Sequence, residues 1–302
     1  MISLTHIKSL LLAPSSLPNR HAHLSAASGL VQVGPWLYVV ADDELHLGKF
    51  SLANNDVGEL FRCFDGELPM DKEERKAAKP DIEVLTLIPA FNTSPHALLA
   101  LGSGSKKNRH RGAIIPLDHS GNILGPANII ELSNFYEFLK KEIGKLNIEG
   151  AAIVQDDILL FQRGNKKNEL NASIRLKLED FYRAIQEPNY EPCIRITPYD
   201  LGEIDQVPLC FTDATSLPSG DIIFTASAEN TSDSYLDGAC MGSAVGVIDP
   251  KGKLSLLEPV NKKVKLEGIE ATTNGSAIEL LLVSDADDAT LPAQLYSARI
   301  NS

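Results

Sequence analysis

A degenerate repeat runs the length of this 302-residue chain, and it limits the available folds more than any other feature. Ser28-Gly-Leu-Val-Gln-Val is followed by Leu37-Tyr-Val-Val-Ala-Asp-Asp, and Glu149-Gly-Ala-Ala-Ile-Val by Ile158-Leu-Leu-Phe-Gln-Arg-Gly-Asn. Asp213-Ala-Thr-Ser-Leu precedes Asp221-Ile-Ile-Phe-Thr-Ala, and Glu267-Gly-Ile-Glu-Ala precedes Ile278-Glu-Leu-Leu-Leu-Val-Ser-Asp. A weaker copy is Glu83-Val-Leu-Thr-Leu-Ile with Ala97-Leu-Leu-Ala-Leu-Gly-Ser-Gly. Each copy has a polar residue, a short apolar run, a turn and a second run of buried type. Runs this short between turn signals suit strands better than helices.

Third strands are expected at 45–52, 112–117, 172–178, 243–249 and 293–300, and fourth strands at 58–64, 127–132, 193–201 and 253–258. Four antiparallel strands per repeat make the blade of a propeller. The copies start at 28, 83, 149, 213 and 267, so the spacing runs from 54 residues (213 to 267) to 66 (83 to 149). That is one blade each. The fifth copy has room for three strands, and the N-terminal run Thr5 to Ala13 can supply the fourth, removing exposed sheet edges. The expected fold is therefore all-β, a single domain over 1–302 forming one five-bladed β-propeller closed by its N-terminal strand, with six blades as the alternative. Two inserts read as helices, one opening at Ser133 with that serine as its cap and one opening at Leu178. The charged stretch 66–80 reads as an exposed loop.

The net charge of −12 excludes nucleic acid as the main partner, because phosphate binding needs a basic face, and it suits a cation site. The four cysteines form no C-x-x-C pair, so neither a zinc site nor a disulfide framework is expected. No apolar segment is long enough to span a membrane, and Pro14 interrupts the N-terminal run before it can serve as a signal core. A cytoplasmic protein without a membrane partner is expected, with export left open.

The first strand of each blade lines the channel of a propeller, so Ser28, Glu83, Glu149, Asp213 and Glu267 are expected to converge on its axis. Like charges held that close raise one another's pKa unless a cation neutralises them. An all-oxygen set suits one calcium ion best. The alternative is that these residues cap strand starts by bonding to backbone amides.

The stretches 28–31 with 37–43, 149–157 with Phe161-Gln-Arg163-Gly, 222–229 and 264–270 resemble the five-bladed calcium-activated nucleotidases, or apyrases. That resemblance implies a central calcium held by one residue from each blade and hydrolysis of nucleotides. It departs at Glu44, where the apyrases carry arginine, at 104–109, which lack their tryptophan, and at Gln162-Arg163, where they carry paired arginines. Glu-Gly-Ile at a strand start also resembles the six-bladed phytase- and esterase-like propellers. Stretches 41–47 and 283–288 look more closely like an uncharacterised bacterial propeller family.

Asp42, Asp43 and Arg163 are the candidate catalytic residues: an acid to activate water and a cation to steady charge. Lys106, Arg109 and Arg111, with Asn165, Glu229 and Asp285, are the candidate ligand contacts, and a local basic cluster in an acidic protein points to an anionic small molecule. Two readings follow. One is a calcium-dependent hydrolase of phosphate esters or nucleotides. The other is a non-catalytic propeller that binds a small ligand or a protein around a structural metal.

Overall fold

The computed structural model describes residues 1–14, 21–164, 170–230 and 239–301. It opens with a lone strand, β1 (Thr5–Ser9). Blade one is β2 (Ala27–Val33), β3 (Trp36–Ala41), β4 (His46–Ser51) and β5 (Glu59–Arg62), paired in that order. A short helix, α1 (Lys72–Ala78), leads to blade two: β6 (Ile82–Phe91), β7 (Ser94–Gly102), β8 (Arg111–Leu117) and β9 (Asn128–Glu131). After α2 (Ser133–Ile143), blade three contains β10 (Ile148–Val154), β11 (Asp157–Gln162) and β12 (Asn171–Lys177). The helix α3 (Leu178–Gln186) precedes its last strand, β13 (Arg195–Tyr199). Blade four has five strands: β14 (Glu203–Ile204), β15 (Val207–Ser216), β16 (Ile222–Glu229), β17 (Cys240–Ile248) and β18 (Leu254–Pro259). Blade five is β19 (Lys265–Asn274), β20 (Ala277–Asp285) and β21 (Gln294–Asn301), with β1 in fourth place.

The fold is thus the five-bladed propeller that the repeat predicts. The ring closes where Thr5 pairs with Ser297 and Ser9 with Gln294, antiparallel. The buried Leu10 and Leu12 then continue into the apolar layer between blades five and one. The other blade pairs enclose similar layers: Tyr38 and Leu98 between one and two, Ile114 and Ile158 between two and three, Phe161 and Phe224 between three and four, Ile223 and Leu280 between four and five. The second strands read as continuous apolar runs because both of their faces are covered.

Local details differ from the expectation. The stretch 66–80 is not all loop. Asp71 accepts from the amides of Glu73 and Glu74 and caps α1, which buries none of its own side chains. Ser133 does not cap α2. It is the first helical residue, and its hydroxyl donates to Glu131 at 2.6 Å. Phe135, Tyr136 and Leu139 of α2 and Phe181 of α3 fill the layer between blades two and three, which accounts for both inserts.

Candidate site at the channel mouth

Each innermost strand carries a β-bulge near its start. The pairing slips between Ala27 and Gly29, Ile82 and Val84, Ile148 and Gly150, Phe211 and Asp213, and Leu266 and Gly268. The residue at the slip is Ser28, Glu83, Glu149, Thr212 and Glu267 in turn. A bulge re-aims one side chain and leaves it outside the ladder. Four of the five ring residues expected from the sequence therefore hold equivalent positions. In blade four the equivalent residue is Thr212, and Asp213 is one position further on. The Asp213 carboxylate instead accepts from the amides of Ala214, at 2.7 Å, and Ile269, at 2.9 Å. The repeat is too degenerate there to fix the register, and Asp213 resembles the other copies only in being a carboxylate.

Three copies follow the bulge with glycine, for a steric reason. A Cβ on Gly150 would lie 2.8 Å from Asp213 Cα and Ala214 N, and one on Gly29 would lie 3.1 Å from Leu85 N. A Cβ on Gly268 would lie 3.1 Å from Gly29 Cα. The innermost strands approach one another through these gaps, which draws the bulged side chains together.

The three glutamates are close enough to feel one another. Burial, then the charges of Glu149, Asp81 and Asp42, pushes the Glu83 carboxyl well above its usual range. Burial raises Glu267 to about 8, against the pull of Lys265 and Arg163 and with Glu229 and Glu149 adding to the rise. Protein cations reach into the same space. Arg163, just past β11, donates to Glu149 at 2.9 Å and to Glu229 at 2.6 Å. Lys265 Nζ lies 3.0 Å from Glu267, 2.9 Å from Asp287, 3.4 Å from Glu229 and 3.6 Å from Asp285. Burial alone would raise Glu229, but Arg163 and Lys265 hold it down at about 2.

Between blades one and two the arrangement differs. Asp42, Asp81 and Glu83 each offer an oxygen within 4.8 Å of the others, the one such group of three or more possible metal ligands among the described residues. Lys79 Nζ bonds to Asp42 and lies 3.1 Å from Asp81. Asp81 adopts φ 56°, a conformation uncommon outside glycine, and its other oxygen accepts from Ser103 at 2.5 Å and Arg109 at 2.6 Å. The donors are all oxygens, which fits calcium or magnesium and not zinc.

The remaining predicted residues distribute as follows. Asp42, Arg163 and Asp285 each directly follow the position where the second strand pairs with the residue before the bulge, so they are equivalent across blades. In blade four that pairing position is Ala226 and Glu229 lies three residues beyond it, yet its side chain meets the same cations. Asp43 contacts Arg75 at 3.4 Å, and burial with the charges of Asp42 and Glu44 lifts its carboxyl to about 6. The members of the expected basic cluster take separate places. Arg109 turns inward to Asp81, Arg111 lies over the Phe64 ring and Lys106 precedes a short turn (107–109). Asn165 lies outside the described residues.

Sequence reasoning missed Lys79, Asp81, Lys265 and Asp287. A signal existed, because strand side chains alternate with period two. Asp81 and Lys265 each stand two residues before a bulged glutamate, and Asn147, which donates to Glu149 at 2.5 Å, does so as well. A cleft of about 740 Å³ adjoins this cluster. Lys72, Glu73 and Lys76 of α1 line it with Lys265, Asp285 and Asp287.

Residues 23–300 match the model of a family of unknown function (DUF6929). The chain belongs to this family. No curated protein matches it. Among solved structures, this DUF6929 chain is similar to the catalytic domain of the Coprinopsis cinerea GH62 α-L-arabinofuranosidase. They share 10% identity and a TM-score of 0.48 over 99% of this chain and 95% of that one. It is also similar to the GH43 endo-arabinanase from Bacillus licheniformis, at 10% identity and TM-score 0.39 over 91% and 93%. A third likeness is to a Trp149Ala mutant of the Synechocystis apocarotenoid oxygenase, at 11% identity and TM-score 0.38. There the match covers 91% of this chain but only 57% of the oxygenase. These are likenesses of chain path, and none of their chemistry carries over. No helix among the described residues is long and apolar enough to cross a membrane.

Proposed function

We propose that this propeller binds a divalent cation, calcium being the best match, at the Asp42, Asp81 and Glu83 end of the axial cluster. The observation that carries this reading is the approach of three carboxylates to within 4.8 Å, with burial resisting the charge of Glu83. Around them Glu149, Glu229, Glu267, Asp285 and Asp287 outweigh Lys79, Arg109, Arg163 and Lys265, so the cluster retains a demand for positive charge. Ser28, Glu149 and Glu267 belong to the same mouth, through water or directly, as the apyrase resemblance implies.

That resemblance further implies hydrolysis of a phosphate ester. The ion would polarise a phosphoryl oxygen, and Asp43 would accept a proton from water. One observation favours the non-catalytic reading instead. Arg109, Arg163 and Lys265 are each engaged by carboxylates, so none is positioned in advance for an anion. The ion then holds the blades together and presents the mouth to a small ligand.

Thermal unfolding with chelator and with calcium, magnesium or manganese tests the cation reading. A ligand that binds only the folded state raises the melting temperature by mass action. Calcium should raise it, and Glu83→Gln should blunt the response. A melting temperature indifferent to all three ions would overturn the reading. Turnover of a panel of phosphate esters by the calcium-loaded protein would decide for catalysis.

A further inference from the structure

The ammonium of Lys79 stands among the carboxylates proposed above to hold the cation. It bonds to Asp42 and Asp81, and Glu83 also acts on it electrostatically. Burial disfavours this charge, and the three acids more than offset that cost. Lys79 is thus a monovalent ion supplied by the chain itself.

Its tether is α1, which is held in an unusual way. None of its seven residues is buried, so no apolar layer fixes it to the blades. Arg75 reaches Asp43 at 3.4 Å, Glu44 at 3.3 Å and the Pro69 carbonyl at 3.2 Å. Asn108 donates to the carbonyls of Ala77 and Lys79, at 3.2 and 2.9 Å. Polar contacts of this sort are weak when water can replace them and are screened by salt. The anchor at Asn108 lies at the C-terminal end, next to Pro80, and Arg75 forms the latch. The same helix walls the cleft that leads towards Lys265 and Asp285.

We infer that Lys79 is a built-in competitor for the divalent cation, so that metal entry expels its ammonium and frees α1 to swing away from the channel mouth. The inference rests on the cation reading above. Two positive charges cannot share Asp42 and Asp81 without strong repulsion, and the divalent ion gains more from the three carboxylates than one ammonium does. Expulsion returns the lysine to water. It also removes one of the polar contacts that hold α1, which keeps its Arg75 latch, its Asn108 anchor and the bond from Arg109 to the Lys76 carbonyl at 3.5 Å, and it widens the cleft. The apo protein would accordingly have a closed mouth and the metal-loaded protein an open one.

Calcium titration by calorimetry, with hydrogen exchange over residues 71–79, tests this on the full chain. Lys79→Met keeps the apolar stem and removes the charge, and should bind calcium roughly tenfold more tightly or better. Arg75→Gln touches none of the three carboxylates and should tighten binding by a smaller factor, because the latch is cut. In the unaltered protein, calcium should speed exchange across α1 and leave the blade strands protected. If Lys79→Met misfolds, Arg75→Gln and the exchange data decide alone. Equal affinity in all folded forms, or slower α1 exchange with calcium, would overturn the inference and leave the cation site standing. No calcium binding by any form would overturn both.

Discussion

The guanidinium of Arg163 lies 2.9 Å from the carboxylate of Glu149, the residue at the bulge of the same blade. Glu149 is buried and Arg163 largely so, and Arg163 extends on to Glu229 of the next blade at 2.6 Å. This residue, a candidate catalytic residue in the sequence, therefore acts first as the counter-charge of the inner ring and a clasp between blades three and four.

Removing it should accordingly cost stability before anything else. Truncating one member of a buried ion pair strands the other charge, and Arg163→Met should destabilise the fold by about 3–5 kcal/mol in urea unfolding. Arg163→Met combined with Glu149→Gln should recover part of that loss, since the stranded charge is gone. A single variant as stable as the parent would show that the pair contributes nothing.

Stability should fall as the pH rises from about 5 to 9. Glu267 and Asp285 titrate at about 8 in the fold and Glu270 at about 7, each raised first by burial. Their ordinary values are 4.5 and 3.8. Across that window the folded state binds more protons than the unfolded one, so the slope of stability against pH is negative. The loss should be several kcal/mol, at roughly 1.4 kcal/mol per pH unit for each group still protonated in the fold, read from denaturation midpoints. Below pH 4.5 the sign reverses, because Glu229 is held at about 2 and its contribution disappears as it protonates. Calcium should flatten the alkaline limb, where the carboxylates are ionised. A flat profile from pH 5 to 9 would refute this picture of the cluster.

The glycines behind the bulges should tolerate no side chain. Gly150→Ala places a methyl 2.8 Å from the backbone of Asp213 and Ala214, which cannot yield as a side-chain tip could. A loss of about 1–3 kcal/mol is expected from such overpacking. Gly125→Ala, where nothing lies within 4 Å, serves as the control and should be nearly neutral. Equal stability of the two variants would mean that the inner strands are not held at this separation.

The blade count, the second strands and the closure by Thr5 to Ser9 were legible in the sequence, because apolar runs and turn spacing are local and recur five times. The glutamates at 83, 149 and 267 were legible for the same reason. What the repeat could not resolve was a one-residue register. A bulge shifts the face of a side chain by a single position, and that separates Thr212 in the ring from Asp213 on the backbone amides of its neighbours. Nor could the repeat reveal which cations meet which acids. Lys79 reaches Asp42 from 37 residues away and Arg163 reaches Glu229 from 66. Such pairs exist only once the ring has closed, when the packing of five sheets brings distant charges into a space that water no longer screens.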